Sequence, residues 1–419
     1  MQIKKSGAGL LIFLCWIAYS VSYVGKVNYS ANITEIIEFY NVTKAEAGMP
    51  TTLFFFAYGI GQVINGAFCK KYSVKFIVFI SLLTSAIINL ILAVNTNFPI
   101  IKWLWMLNGF MLSILWPSLI RLLSENLPQK DLVKSSMAMG TTVAVGTIVI
   151  YGLSSLYAHL DNFKLAFYTA AVLDIAVSVY WLISYGKAVS DANNAKCAES
   201  EKPKASGTEK RTEQTQLEKH ILLVSICILC LYAVGINLIK DGLLTWVPSI
   251  LKEEYSMKDS LSILLTICLP MVAIFGNIFS LKIHKRIPDY ITHSAIFFGV
   301  MACFIGLIIG SIKYQQAFIM LAGLVVVSFF ASSLNSLVTS IFPMFMREKL
   351  NSGMCAGIIN GFCYVGSTIS AYGLGIIADY FGWISVFLYL MGICIMMCIV
   401  WLGYLFYKHI LKGKATGNN

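Results

Sequence analysis

The sequence predicts an all-α membrane protein with twelve transmembrane helices in two pseudo-symmetric six-helix bundles. Three observations carry that prediction. Of 419 residues, 58% are hydrophobic and 12% charged, with a mean hydropathy of +0.76, more apolar surface than a water-soluble core of this length can hide. The apolar residues form long continuous runs, not the alternating segments of a transmembrane barrel. Inside lipid the backbone has no water to bond, so such runs must be helical. Finally, several features recur at a spacing near 220 residues.

Twelve runs can be drawn, at roughly 7–32, 46–69, 74–94, 98–124, 132–158, 163–186, 219–249, 258–282, 288–312, 316–342, 350–378 and 382–408. Most are long enough to cross a ~30 Å hydrocarbon core, some with tilt. The first is too long for a signal peptide's apolar region and lacks a small-residue cleavage site after it, so it reads as the first helix. The stretch 188–218 is rich in Lys, Glu, Ser and Thr and reads as a flexible linker. The expected domains are therefore 1–187, an N-terminal bundle; 188–218, a cytoplasmic linker; 219–408, a C-terminal bundle; and 409–419, a cytoplasmic tail.

The net charge of +11 is sorted by loop. With the N-terminus inside, 23 Lys and Arg fall on the cytoplasmic side and 6 outside (Lys44, Lys102, Lys164, Lys252, Lys258 and Lys313), while Lys26 and Lys240 lie within apolar runs. The positive-inside rule then places both termini in the cytoplasm of a multi-pass plasma-membrane protein. This pattern argues against nucleic acid as a partner.

The repeat is visible in short motifs. Val145-Gly146 through Tyr151-Gly152 echoes Val365-Gly366 through Tyr372-Gly373, and Asp161-Asn-Phe163 echoes Asp379-Tyr-Phe381. Lys26 and Lys240 are 214 residues apart. One duplication accounts for all three spacings. Parallel six-helix repeats hold their ligand between them near the midplane, so the two lysines are expected to face one cavity.

Each lysine lies about 18 residues into its run, most of the way across the core at ~1.5 Å per residue. A lysine there costs on the order of 3 kcal/mol on insertion scales. Snorkelling to the headgroups explains one such residue; two at equivalent places favour an anion site. Tyr19, Tyr23 and Lys26 follow an i, i+4, i+7 spacing and share a helix face, giving one charge with neutral donors beside it. Asn237 and Lys240 share a face likewise.

Other intramembrane polar residues have plainer readings. Ser328, Ser332, Ser333, Asn335, Ser336, Thr339 and Ser340 form a stripe that either lines water or joins helices. Asn108, Asn360 and Asp174 read as packing residues. Asp241 follows Lys240, and it either pairs with another helix or tempers that lysine. Cys227-Ile-Leu-Cys230 has the spacing of a metal or redox pair but sits in an apolar run without a nearby histidine. With no Ser/His/Asp set, phosphate-cradling loop or carboxylate pair, the sequence does not read as an enzyme. No metal or organic cofactor is expected.

The segments Tyr23-Val-Gly-Lys26-Val-Asn28-Tyr-Ser30, Tyr58-Gly-Ile-Gly-Gln62, Leu115-Trp116-Pro117, Lys240-Asp-Gly242 through Trp246-Val-Pro248, and Gly361 through Gly366 with Gly382-Trp383 resemble the major facilitator superfamily. More closely, they resemble its organophosphate:phosphate antiporters, the glycerol-3-phosphate and hexose-6-phosphate transporters. The resemblance runs over nearly the whole chain. It implies the MFS fold and a secondary transporter working by alternating access as a monomer. The substrate implied is a small anionic solute, an organophosphate exchanged for inorganic phosphate. Lys26 and Lys240 stand where that family has phosphate-clamping arginines, and Tyr19, Tyr23 and Tyr58 match its tyrosines. Asn237 joins them as a substrate-binding candidate, with Gln62, Thr141, Asn335 and Tyr364 as further cavity-lining candidates. Gln62 replaces a basic residue of the glycerol-phosphate transporters, Thr141 lies near a histidine position, and Leu265 and Thr266 stand where an acid is expected. Two other readings keep the fold: a cation-coupled symporter of an organic carboxylate such as a sugar acid, and a transporter-like membrane sensor of phosphorylated sugars.

Overall fold

The computed structural model describes residues 8–68, 73–200, 216–284, 286–342 and 352–416. Among these, the secondary structure is helical throughout. The first half carries α1 (Gly9–Ala31), α2 (Ile33–Tyr40), α3 (Lys44–Phe68), α4 (Val74–Val94), α5 (Phe98–Leu112), α6 (Leu115–Asn126), α7 (Gln129–His159) and α8 (Lys164–Ser200). The second carries α9 (Gln216–Tyr255), α10 (Asp259–Thr266), α11 (Cys268–His284), α12 (Tyr290–Lys313), α13 (Ala317–Ser336), a π-helical turn (Leu337–Ile341) and α14 (Ser352–Thr416).

Among the described residues, eleven segments are long and apolar enough to cross a membrane. The last, Gly357–Ile410, is 54 residues, about two crossings. The chain breaks inside it at Gly382, with φ 75° and ψ 173°, a conformation open to glycine and closed to most side chains. Divided there, the segments make twelve. Large apolar side chains such as Val63, Ile183, Phe318 and Phe406 are exposed along the helices. In water such surfaces would aggregate; against lipid they are the outer coat of a bundle.

Several expected runs differ in detail, each for a physical reason. The run 98–124 is two helices, α5 and α6, parting around Ser113. Pro117, the third residue of α6, has no N–H to return to the Ser113 carbonyl. The run 258–282 divides at Ile267 into α10 and α11, with Pro270 three residues on. The helix of 163–186 continues to Ser200, so the stretch expected as a flexible linker, 188–218, begins as helix. Ala188 and Ala192 are fully buried there, and alanine is the best helix former. Residues 201–215 lie outside the described residues, and α9 starts at Gln216. The expected tail, 409–419, is helical to Thr416; residues 1–7 and 417–419 lie outside the described residues.

Two compact units emerge from the packing. Unit 1 gathers α1, α2, α4–α8, the body of α3 from Met49, and α10. Unit 2 gathers α9, α11–α14 and the segment Thr43–Gly48, which includes the first residues of α3. In unit 1, α1 packs on α7 and α8, and α4 on α8. In unit 2, α9 packs on α14, and α12 on α13 and α14. Equivalent glycines make the closest approaches. A Cβ on Gly146 would lie 2.3 Å from the Ser20 carbonyl oxygen of α1, and one on Gly366 would lie 2.1 Å from the Val234 carbonyl oxygen of α9. Ser20 and Val234 are 214 residues apart, as are Lys26 and Lys240.

Candidate anion-binding site

In unit 1, α1 and α3 bring four expected residues together. Lys26 is 8% exposed. Its Nζ donates to the Tyr23 hydroxyl at 3.4 Å and lies 4.6 Å from the Tyr23 ring centroid and 4.2 Å from that of Tyr58. Phe54 and Phe55 present rings at 5.7 and 5.6 Å. The Tyr19 and Tyr58 hydroxyls are 3.4 Å apart, and the Tyr19 ring packs on Tyr23 at 5.4 Å and Trp116 at 4.8 Å. The ring quadrupoles stabilise the ammonium without neutralising it, so a cation is held in a low-dielectric place with its charge intact. Phenols beside it can donate to an anion.

The backbone around Lys26 is held from behind. Asn108 donates to the Gly25 carbonyl at 3.0 Å. A Cβ at Gly25 would come within 2.9 Å of the Asp174 Oδ2 and 3.0 Å of the Ser85 Oγ. Glycine here lets α1 approach a fully buried polar group. Asn28 donates to Asn89 at 2.8 Å, and Asn32 to Ser154 at 2.9 Å. Asn108 and Asp174 are thus packing residues, as the sequence suggests.

In unit 2, Lys240 donates to Asn237 Oδ1 at 3.0 Å, and Asn237 Nδ2 donates to Asn335 Oδ1 at 3.1 Å. Asn237, Lys240 and Asn335 therefore form one chain across α9 and α13. Lys240 Nζ also lies 3.4 Å from Asp241 Oδ1, while the other oxygen of Asp241 accepts from Ser367 of α14. Both readings of Asp241 hold: it tempers Lys240 and it ties α9 to α14. The lysine's long stem closes the angular gap between adjacent residues.

The cavity-lining candidates divide. Asn335 joins Asn237. Thr141 accepts from Trp16 Nε1 at 3.0 Å and donates to the Ala138 carbonyl at 2.8 Å, a helix-joining role. Gln62 lies one turn past Tyr58 on α3 and is half-buried, as is Tyr364 on α14. The serine stripe of α13 divides too: Ser328 donates to the Leu269 carbonyl at 3.3 Å, and Ser332 and Ser333 are buried where Gly276 of α11 packs against them. Sequence reasoning missed Phe54, Phe55 and Ser367. The first two carry a legible signal, an aromatic pair one turn before Tyr58.

Residues 15–352 match the family model of the Major Facilitator Superfamily. The chain belongs to that superfamily. It is a multi-pass membrane transporter, not an enzyme. A 100-residue stretch is 24% identical to the membrane sensor protein UhpC of Escherichia coli (strain K12), covering 24% of this chain and 23% of that protein. The match thus spans about a quarter of that relative's length. A probable hexose phosphate transport protein of Chlamydia pneumoniae is 20% identical over 407 residues, covering 91% of this chain and 88% of that one. Among solved structures, a bacterial homologue of the human lysosomal transporter Spinster superposes with a TM-score of 0.72 at 11% identity, covering 94% of this chain and 95% of that one. At that identity the likeness concerns the fold alone.

Proposed function

We propose that this transporter carries a phosphorylated small organic anion of the hexose-phosphate or glycerol-3-phosphate class across the plasma membrane by alternating access, in exchange for inorganic phosphate. Both termini lie in the cytoplasm, and one chain is the working unit. The observation that carries the reading is Lys26 and Lys240, one at the equivalent place of each repeat, each beside neutral donors or acceptors. The full-length similarity to a probable hexose phosphate transport protein supports the same class. Lys26 and Lys240 both serve one anion, Tyr19, Tyr23 and Tyr58 donate hydrogen bonds, and Asn237 orients Lys240.

The test uses purified protein in vesicles. Phosphate-loaded vesicles should accumulate labelled glucose-6-phosphate or glycerol-3-phosphate by counterflow. Each alanine variant at Lys26 or Lys240 should bind more than tenfold more weakly, since a charge-assisted bond contributes ~1.5–3 kcal/mol. The double variant should lose less than the product of the two. Wild-type affinity in both single variants would reject the shared site.

A second reading keeps the carboxylate substrate. It is favoured by lysine standing where the antiporters have arginine, because an ammonium lacks the planar fork that fits phosphate. Uptake of gluconate without uptake of phosphate esters would establish it. Binding without transport would instead favour the sensor reading.

A further inference from the structure

We propose that Asp241 is a built-in counter-ion: it occupies Lys240 when no substrate anion does, and so lets the unloaded transporter complete the return half of its cycle. The proposal rests on the reading above, that Lys240 binds the anion. Its basis is the division of labour within one carboxylate. Asp241 Oδ1 lies 3.4 Å from Lys240 Nζ, with the two side chains 16% and 29% exposed. Oδ2 accepts a hydrogen bond from Ser367 of α14, whose own backbone bond to Cys363 keeps it on that helix face. The carboxylate is thus anchored by α14 through one oxygen while the other meets the ammonium. Lys240 is further oriented by Asn237 at 3.0 Å.

An incoming phosphate must take the place of Asp241 at Lys240 or share the ammonium with it. When the substrate leaves, the carboxylate returns. The charge of Lys240 is therefore compensated in both states, and an uncompensated charge in a water-poor state is what would hold an empty carrier back. Lys26 has ring faces near it that leave its charge in place, so a bound anion still favours movement. Exchange is the faster mode, and net flux is slower yet measurable.

The experiment compares two rates in the same vesicles: counterflow, and net efflux into anion-free medium. Inorganic phosphate, glucose-6-phosphate and gluconate serve as probes side by side. The wild type should show net efflux below its counterflow rate and clearly above protein-free vesicles. Asp241→Asn should keep counterflow, bind the transported probe about fivefold more tightly, as expected for losing one competing ion pair, and lose net efflux by tenfold or more. A wild type with no net efflux overturns the proposal without any variant, which covers the case where Asp241→Asn does not fold. An unchanged efflux-to-counterflow ratio in Asp241→Asn overturns it, as does loss of both modes, which would make Asp241 part of substrate binding itself. If gluconate alone moves, the phosphate reading fails while the ratio still tests Asp241. If none of the three is bound or moved, both fail.

Discussion

Lys26 and Lys240 occupy the same place in two copies of one ancestral bundle, yet the two units keep an ammonium in the membrane by different means. Unit 1 surrounds it with four aromatic rings at 4.2–5.7 Å. Unit 2 gives it a carboxylate at 3.4 Å and an amide oxygen at 3.0 Å. Ring faces stabilise a cation and leave its charge available; a carboxylate cancels it. The repeat fixed where the charge sits, and divergence fixed how much of it an arriving anion meets.

The sharpest way to break this comparison is to remove each lysine. Lys240→Ala leaves the Asp241 carboxylate without its ion-pair partner in a partly buried place, which typically costs ~3 kcal/mol or more. It also sets a negative charge where an anion should bind. Glucose-6-phosphate binding should fall by about two orders of magnitude, and Asp241→Asn added to Lys240→Ala should restore at least tenfold. Lys26→Ala removes a charge and leaves ring faces behind, so its loss should be nearer ~1.5–3 kcal/mol. Calorimetric titration of the four variants checks the order. Rescue of Lys26→Ala by Asp241→Asn as large as that of Lys240→Ala would erase the distinction drawn here.

The glycines sharpen the comparison from the other side, because here the units agree. Gly146 and Gly366 each let a helix touch a carbonyl oxygen at a distance where no Cβ fits. Overpacking of this kind costs ~1–3 kcal/mol, so Gly146→Ala and Gly366→Ala should lower the thermal midpoint of the detergent-purified protein by similar amounts. A large loss in one and none in the other would show that the repeat is no longer used alike in packing.

Much of the fold was legible because lipid imposes a simple rule: long apolar runs are helices. The runs ending at Ala31, Val94 and Lys313 match their helices to within a residue or two. What was not legible depended on local backbone chemistry. Pro117 and Pro270 divide runs that hydropathy alone treats as continuous, and packed alanines carry α8 into a stretch that composition marks as linker. Around the site, the helical spacing of Tyr19, Tyr23 and Lys26 was readable because it lies on one element. The meeting of Tyr58, Phe54 and Phe55 with Lys26, and of Ser367 with Asp241, joins residues on different helices, which periodicity cannot pair.

The smallest expected effect tests whether the aromatic surround of Lys26 acts through its faces or its hydroxyls. Tyr58 does both: its ring centroid is 4.2 Å from Nζ, and its hydroxyl meets that of Tyr19 at 3.4 Å. Tyr58→Phe keeps the face and removes the hydroxyl; Tyr58→Leu removes both. Cation–π contacts in a desolvated place contribute ~1–2 kcal/mol, and a long neutral hydrogen bond contributes ~0.5–1.5 kcal/mol. Tyr58 is 1% exposed, so Tyr58→Leu also leaves a partial cavity, and thermal midpoints must accompany the affinities. Tyr58→Phe should bind the substrate within about fivefold of wild type at nearly unchanged stability. Tyr58→Leu should lose more affinity than its stability change accounts for. If both variants bind alike, the ring faces contribute nothing to holding Lys26 ready, and the contrast between the two lysines reduces to the presence of Asp241 alone.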